Sequence, residues 1–395
     1  MSSAAESIVR PPEQATQINV ETPLDRRADI DAKQVMVAQL LRESACDGLL
    51  VLEPANFAWL TSGATARGVL DPAALPALYF SPEQRWAIAA NVDSQRLFDE
   101  ELDGLGFQLK EWPWHWGREQ LLADLCQGRK VACDRSFGDT IAVADPLRRR
   151  RRALTAYEQA CLRALGHTVG HALEATCRTM LPGQTEREVA GQMSHRLLHR
   201  GAQPLAISVA ADGRSALYRH CGYTEVPVQR HAVVMATARK YGLHATASRS
   251  VSFGPPEESF RLEHEAACKI HATYVASSWP DAGPREILSL GRRVYLITGH
   301  EHEWLGCPQG YVTGRAAVEL MLTPQTEELF QPGWAVTWRA AAGAGASCDT
   351  FLITDKGPEL MTPTELWPLK RIRIQGADFI RPYLLERPSD EGEHT

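Results

Sequence analysis

The residues able to do chemistry in this chain are numerous, but few stand at a spacing that commits them to a reaction. His167 with His171, and His195 with His199, lie four residues apart, where two imidazoles on one helix face can share a metal ion. Neither pair has a carboxylate in the HExxH arrangement, so both read as surface histidines. The nine cysteines, at 46, 126, 133, 161, 177, 221, 268, 307 and 348, are odd in number and form no CxxC pair. They read as small buried hydrophobes in a reducing compartment, the cytoplasm by default. His220, in YRHCGYTEVP, taken by itself reads as a satisfied structural histidine. Trp112, Trp114 and Trp116 could line a ligand surface, but edge-strand and interface packing is the better reading. Arg148 to Arg152 read as a solvated linker or a salt-bridged helix start.

Composition sets outer limits. At 395 residues the chain is long enough for two domains, and its 44% hydrophobic and 23% charged content is that of a globular protein. A net charge of −6 gives no footprint for nucleic acid or an anionic membrane. No apolar run approaches the ~20 residues needed to cross a bilayer, and the polar N-terminus lacks a hydrophobic signal core. The expectation is a protein without nucleic-acid or membrane partners.

The elements that must position these side chains are legible by period. Residues 1–23 read as a flexible lead-in. A helix runs from Arg26 to Cys46 with apolar Ile30, Val35, Val37, Leu40 and Leu41, closed near Gly48. GLLVLEP is a strand, NFAWLTSG a turn, and LPALYFS with RWAIAAN a strand pair. RLFDEEL is a helix, FQLKEWPWHW a strand, REQLLADLC a helix and KVACD a strand. Alternating strands and helices make residues 24–150 a mixed α/β domain. Two helices then follow, each opened by a capping box, Thr155 with Glu158 and Thr185 with Glu188. Next come the strand PLAISVAADG, the loop around His220, and the hairpin HAVVMATARKYGLHATASRSVSFG. In that hairpin Thr246, Ser248, Ser250 and Ser252 alternate with apolar positions. A third helix, FRLEHEAACKIHATYVASS, a partly helical PREILSLGRRVYLITG and a glycine-rich hairpin over 333–354 complete the pattern. The charged end, 386–395, reads as a disordered tail.

The order of these signals resembles the aminopeptidase P, methionine aminopeptidase and creatinase superfamily, with its peptidase M24-like, pita-bread fold. The residues that carry the resemblance are LTAYE, LPGQTEREVA, the loop from His220 to Thr224, the SRS and FG end of the first hairpin, QPGWAVTW and CDTFLITDKG. The resemblance implies an α/β (α+β) chain with a creatinase-like N-terminal domain over 24–150 and a pita-bread domain over 153–385. Metallopeptidases of this superfamily hold two divalent cations with carboxylates and one imidazole, because neighbouring cations repel unless anionic oxygens bridge them. Aligning the motifs puts those ligand positions at Ala236, Thr246, Cys307, Arg339 and Cys348, with His300 and His302 near the least certain of them, Cys307. The expectation is no family-type metal site and no cofactor. A zinc site of Cys307, Cys348 and His220 is the competing possibility, set against cysteines that merely fill former ligand positions.

The resemblance also implies roles. His220 occupies the place of the histidine that acts as acid/base in creatinase, and imidazole can take and return a proton near neutral pH. Arg249 ends the first hairpin, and Arg315 and Arg339 add charge able to hold a carboxylate. Arg67 resembles the position from which creatinase reaches its partner subunit's pocket, so a homodimer is expected. Three readings follow. One is a metal-independent hydrolase of creatinase type, cleaving a C–N bond in a small carboxylated or peptide-like substrate. Another is an inactive pseudoenzyme that binds a peptide or protein. The last is an Xaa-Pro aminopeptidase. A carboxylate or cysteine base near His220 favours the first; a pocket plugged by Arg339 and Trp338 favours the second.

Overall fold

The computed structural model describes residue 20 and residues 23–388, in two compact units that divide between Ala160 and Cys161. Of the lead-in 1–23, residues 1–19 and 21–22 lie outside the described residues, as does the tail from 389 on, while Pro23 already belongs to a helix. The junction anticipated at 150–153 falls inside the first unit, because the arginine run is the last turn of a helix, with Arg151 and Arg152 buried.

The first unit opens with α1 (Pro23–Ser44), which buries Ile30, Val37, Leu40 and Leu41. Val35 points outward instead. The helix is stopped by Ala45, in the left-handed region at φ 49°, while the Cys46 amide reaches back to the Leu41 carbonyl at 2.9 Å. Gly48 is therefore not the stop signal. It begins β1 (Gly48–Val51), where a Cβ would lie 2.1 Å from the Tyr79 hydroxyl.

NFAWL belongs to α2 (Pro54–Leu60), whose proline sits at the first turn, where a missing amide costs nothing. Then come β2 (Ala77–Phe80), β3 (Arg85–Ala90), α3 (Ser94–Leu97) with a wider turn over Phe98–Leu102, β4 (Gln108–Trp112) and α4 (Glu119–Cys126). β5 (Val131–Cys133), β6 (Ile141–Ala142) and α5 (Ala144–Arg152) complete the set. The sheet order is β4-β3-β2-β1-β5-β6, and β1 is buried on both faces, which is why GLLV reads as a continuous apolar run.

The second unit carries most of α6 (Ala156–Thr179), then α7 (Glu186–His199), β7 (Gln203–Ala211) and α8 (Arg214–Leu217). Both capping boxes form: Thr155 with Glu158, and Thr185 with Glu188. In α6, Gly166 is required by contact, since a Cβ there would stand 1.7 Å from the Met361 carbonyl oxygen. The first hairpin is β8 (His231–Lys240) and β9 (Leu243–Phe253). They are joined by Tyr241 and Gly242, both at positive φ, as a two-residue primed turn demands.

After α9 (Glu258–Ala276) and α10 (Pro284–Ile297) come β10 (Gly310–Thr313) and β11 (Leu320–Met321). The second hairpin is β12 (Ala335–Ala342) with β13 (Gly345–Thr354), followed by β14 (Gly357–Leu360), β15 (Leu369–Ile374), β16 (Ala377–Pro382) and β17 (Leu384–Arg387). β15 and β16 pair as a two-stranded sheet, and the larger sheets are β17-β9-β8-β7 and β11-β10-β12-β13-β14, which carry the two hairpins. They meet where the Thr246 amide donates to Thr350 Oγ1 at 3.0 Å and that hydroxyl donates back to the Thr246 carbonyl at 2.9 Å. β17 corrects the expectation of a tail from 386. Glu386 and Arg387 are strand residues, parallel to Ser252 and Phe253, because β9 offers a free edge of backbone groups.

Candidate functional site

Directly opposed residues of antiparallel strands project to the same face, so the two hairpins fix what can converge. On β8 and β9 the pairs Met235 with Ser248 and Thr237 with Thr246 share one face; Ala236 with Ala247 and Val234 with Arg249 share the other. On β12 and β13 the pair Arg339 with Cys348 shares its face with Thr337 and Thr350, while Trp338 and Asp349 point the opposite way.

Met235, Ser248, Arg339 and Cys348 line one cavity of ≈ 30 Å³, with Arg219 and Cys221 from the loop beyond β7. That is room for a water molecule or two, not for a dipeptide. Arg339 lines the space and donates through Nη2 to the Arg219 carbonyl. Arg219 is itself fixed, donating to the Ser215 and Gly343 carbonyls at 2.7 and 2.9 Å and pairing with Glu303. Deeper along the same face, hydroxyls satisfy one another: Thr246 Oγ1 lies 2.9 Å from Thr237 Oγ1 and 3.2 Å from the Tyr311 hydroxyl.

Burial pushes the Cys348 thiol up to about 12, aided by the Asp349 charge and only partly offset by Arg339. His220 is exposed; partial desolvation, then the charge of Arg339, hold its pKa below the ordinary value. It is thus a neutral imidazole at neutral pH.

Residues 160–314 match the model of metallopeptidase family M24. The prolidase from Pyrococcus horikoshii OT3 superposes with a TM-score of 0.70 at 18% identity, over 84% of this chain and 99% of that one. The pita-bread domain is peptidase M24-like. A probable dipeptidase PepE from Mycobacterium tuberculosis is 24% identical over 206 residues, which are 49% of this chain and 54% of the relative. The match thus spans about half the length of these curated relatives. The fold is also that of the N-terminal domain of FACT complex subunit SPT16 from chickpea, with a TM-score of 0.62 at 10% identity, over 86% of this chain and 96% of that one.

The donor set of the M24-like pocket is a thioether, several hydroxyls, two thiols and two guanidiniums. It does not fit a pair of divalent cations: it supplies no carboxylate, and the guanidiniums bring positive charge to the lining. Among the described residues no three His, Cys, Asp or Glu side chains converge to hold a metal ion. Cys307, Cys348 and His220 are therefore not brought together as a zinc site. Cys307 does not line the cavity; its carbonyl accepts from Gln309 at 2.8 Å. His302 is exposed and lies 3.8 Å from Glu303.

Several sequence-based positions need correction. Ala236 cannot share a site with Thr246, since it projects from the opposite face, and the strand residue that faces the pocket is Met235. A signal for this was available: the turn at Tyr241 and Gly242 makes Thr246 the partner of Thr237, which fixes 235 rather than 236 on the same face. Tyr311 also went unread, because its approach to Thr246 depends on β10 pairing with β12.

Arg249 is not a ligand-facing group. The residue is 2% exposed, and its guanidinium donates to Asp349 Oδ1 and the Thr362 carbonyl, both at 3.0 Å. Arg315 is likewise committed, donating to the Tyr241 carbonyl at 2.5 Å in the hairpin turn. Trp338 does not plug the pocket. It stacks on Tyr274 at 4.7 Å and donates to Ser278 Oγ at 2.8 Å, on the core side. Arg67, in the first unit, is exposed and pairs with Glu100 at 3.3 Å.

Proposed function

We propose that this M24-like protein is not a metallopeptidase and serves as a metal-independent binding module, a pseudoenzyme whose former catalytic pocket is closed by Arg339. One observation carries the reading: the Arg339 guanidinium, tied to the Arg219 carbonyl, lines a cavity of only ≈ 30 Å³, too small for a peptide substrate. The ligand is a peptide or protein segment lying over the mouth of the pocket. Tyr218, which lines the pocket, is 55% exposed, and Leu217 and Tyr223, near His220 in sequence, expose 74% and 50% of their surface. A subunit of the FACT complex with the same fold supports a non-peptidase use of this scaffold.

A second reading, metal-independent hydrolysis with His220 as the proton shuttle, is favoured by one fact. The imidazole is exposed and held neutral, as a general base must be. No thiol in the cavity assists it, because burial holds the protons of Cys221 and Cys348 on.

The test is calorimetric titration of Mn²⁺ into untagged protein, with an assay on Gly-Pro and related dipeptides. No saturable binding and no turnover are expected. Two equivalents of metal with dipeptide hydrolysis would return the peptidase reading, and metal-free turnover lost in His220→Ala would establish the second.

A further inference from the structure

Away from the pocket, α7 presents a face on which cationic groups recur; among the described residues the nearby Glu365 lies 3.6 Å from Nδ1 of His171, and not against an arginine of this face. Gly191, Gln192, His195, Arg196, His199 and Arg200 line an open groove of ≈ 550 Å³. Arg196 donates to Thr179 Oγ1 at 2.7 Å, and Arg200 Nη2 lies 2.7 Å from His171 Nε2. A hydroxyl and an imidazole lone pair orient the two guanidiniums without neutralising them. Among the described residues, neither arginine lies within ion-pair distance of a carboxylate.

The rings of His195 and His199 stack at 6.1 Å with 21° between their planes, adding two more N–H donors to the same stripe. Gly191 leaves the floor of the groove empty, with no atom within 4 Å of where a Cβ would stand. In a chain of net charge −6, such a stripe is a local reversal of sign. The two guanidiniums also weigh against a cation held by the histidine pair.

We propose that this face of α7 binds a small phosphate-bearing ligand, with Arg196 and Arg200 as bidentate donors to its oxygens and His195 and His199 completing the shell. The inference is independent of what occupies the M24-like pocket.

The test is isothermal titration of inorganic pyrophosphate into the full chain at low ionic strength. Saturable single-site binding is expected, weakened at least tenfold in the Arg196→Gln, Arg200→Gln double variant. Because Arg196 also packs on Thr179, Gly191→Glu serves as a second variant. It leaves both arginines in place, puts a carboxylate into the open floor, and is expected to weaken binding to a similar degree. Absence of saturable binding would overturn the proposal, as would affinities in both variants within twofold of wild type. So would binding of a single-stranded oligonucleotide by protein that does not bind pyrophosphate.

Discussion

The two faces of the β12–β13 hairpin carry polar groups of similar number and opposite design. On the core side, Asp349 is 1% exposed and accepts from Arg249 at 3.0 Å and from Thr362 at 2.8 Å, with Arg381 at 3.7 Å. Opposite charges meet there at short range, out of water, with hydrogen bonds to hold the geometry. On the pocket side, Arg339 has a carbonyl for a partner and Cys348 for a neighbour across the strand. One face is a structural clamp that cannot lose a member cheaply. The other carries no anionic oxygen in the pocket lining and ties its cation to a neutral carbonyl. A strand that alternates in and out thus lets the frame and the site change separately.

That contrast can be broken at the clamp. Asp349→Ala leaves two buried guanidiniums without their counter-charge and is expected to cost about 3–5 kcal/mol in urea unfolding. A loss under about 1 kcal/mol would mean that the core-side network does not hold the hairpins together.

A further effect follows from imidazoles kept dry around the same frame. Burial lowers His244 and His264 to about 4, and drives His271 well below its ordinary value. Their folded-state pKa values lie below the unfolded value near 6.5, so the unfolded chain binds the extra protons as pH falls. The stability they contribute is complete above about pH 6.5 and is lost on acidification towards pH 4, at up to about 1.4 kcal/mol per pH unit for each group. Chemical denaturation at a series of pH values should show this slope; a flat profile between pH 6.5 and 4 would contradict it.

The pocket side should yield the smallest change. Arg339→Gln removes a like charge from beside His220 without uncovering a buried anion. The imidazole should titrate at higher pH by NMR, while stability shifts by no more than about 1 kcal/mol. A pKa that stays put would separate His220 from the pocket altogether.

What the sequence made legible was local. Thr155 with Glu158, Thr185 with Glu188, and the Tyr241-Gly242 turn are signals within a few residues, and each formed its element. The reading that put Arg339 and Cys348 together agrees with their direct pairing in one hairpin. It slipped at Ala236, where one residue of register exchanges the faces of a strand. Arg249 looked available because its partner Asp349 lies a hundred residues away, beyond the reach of any periodicity. Tyr311 was invisible for the same reason. Ala45 shows the limit from the other side: the left-handed stop of α1 was read from the nearest glycine, while an alanine takes the conformation.

The strand β17 has a kinetic consequence. Leu384 pairs with Ser250, so the edge of the first-hairpin sheet is covered by residues about 130 positions away. Contacts of that separation form late, after the chain between them has found its own structure. Until then β9 waits as an unpaired strand edge, and a folding intermediate with β7, β8 and β9 in place would present it to any other chain. Refolding yield should therefore depend on protein concentration more than the stability of the finished fold would suggest.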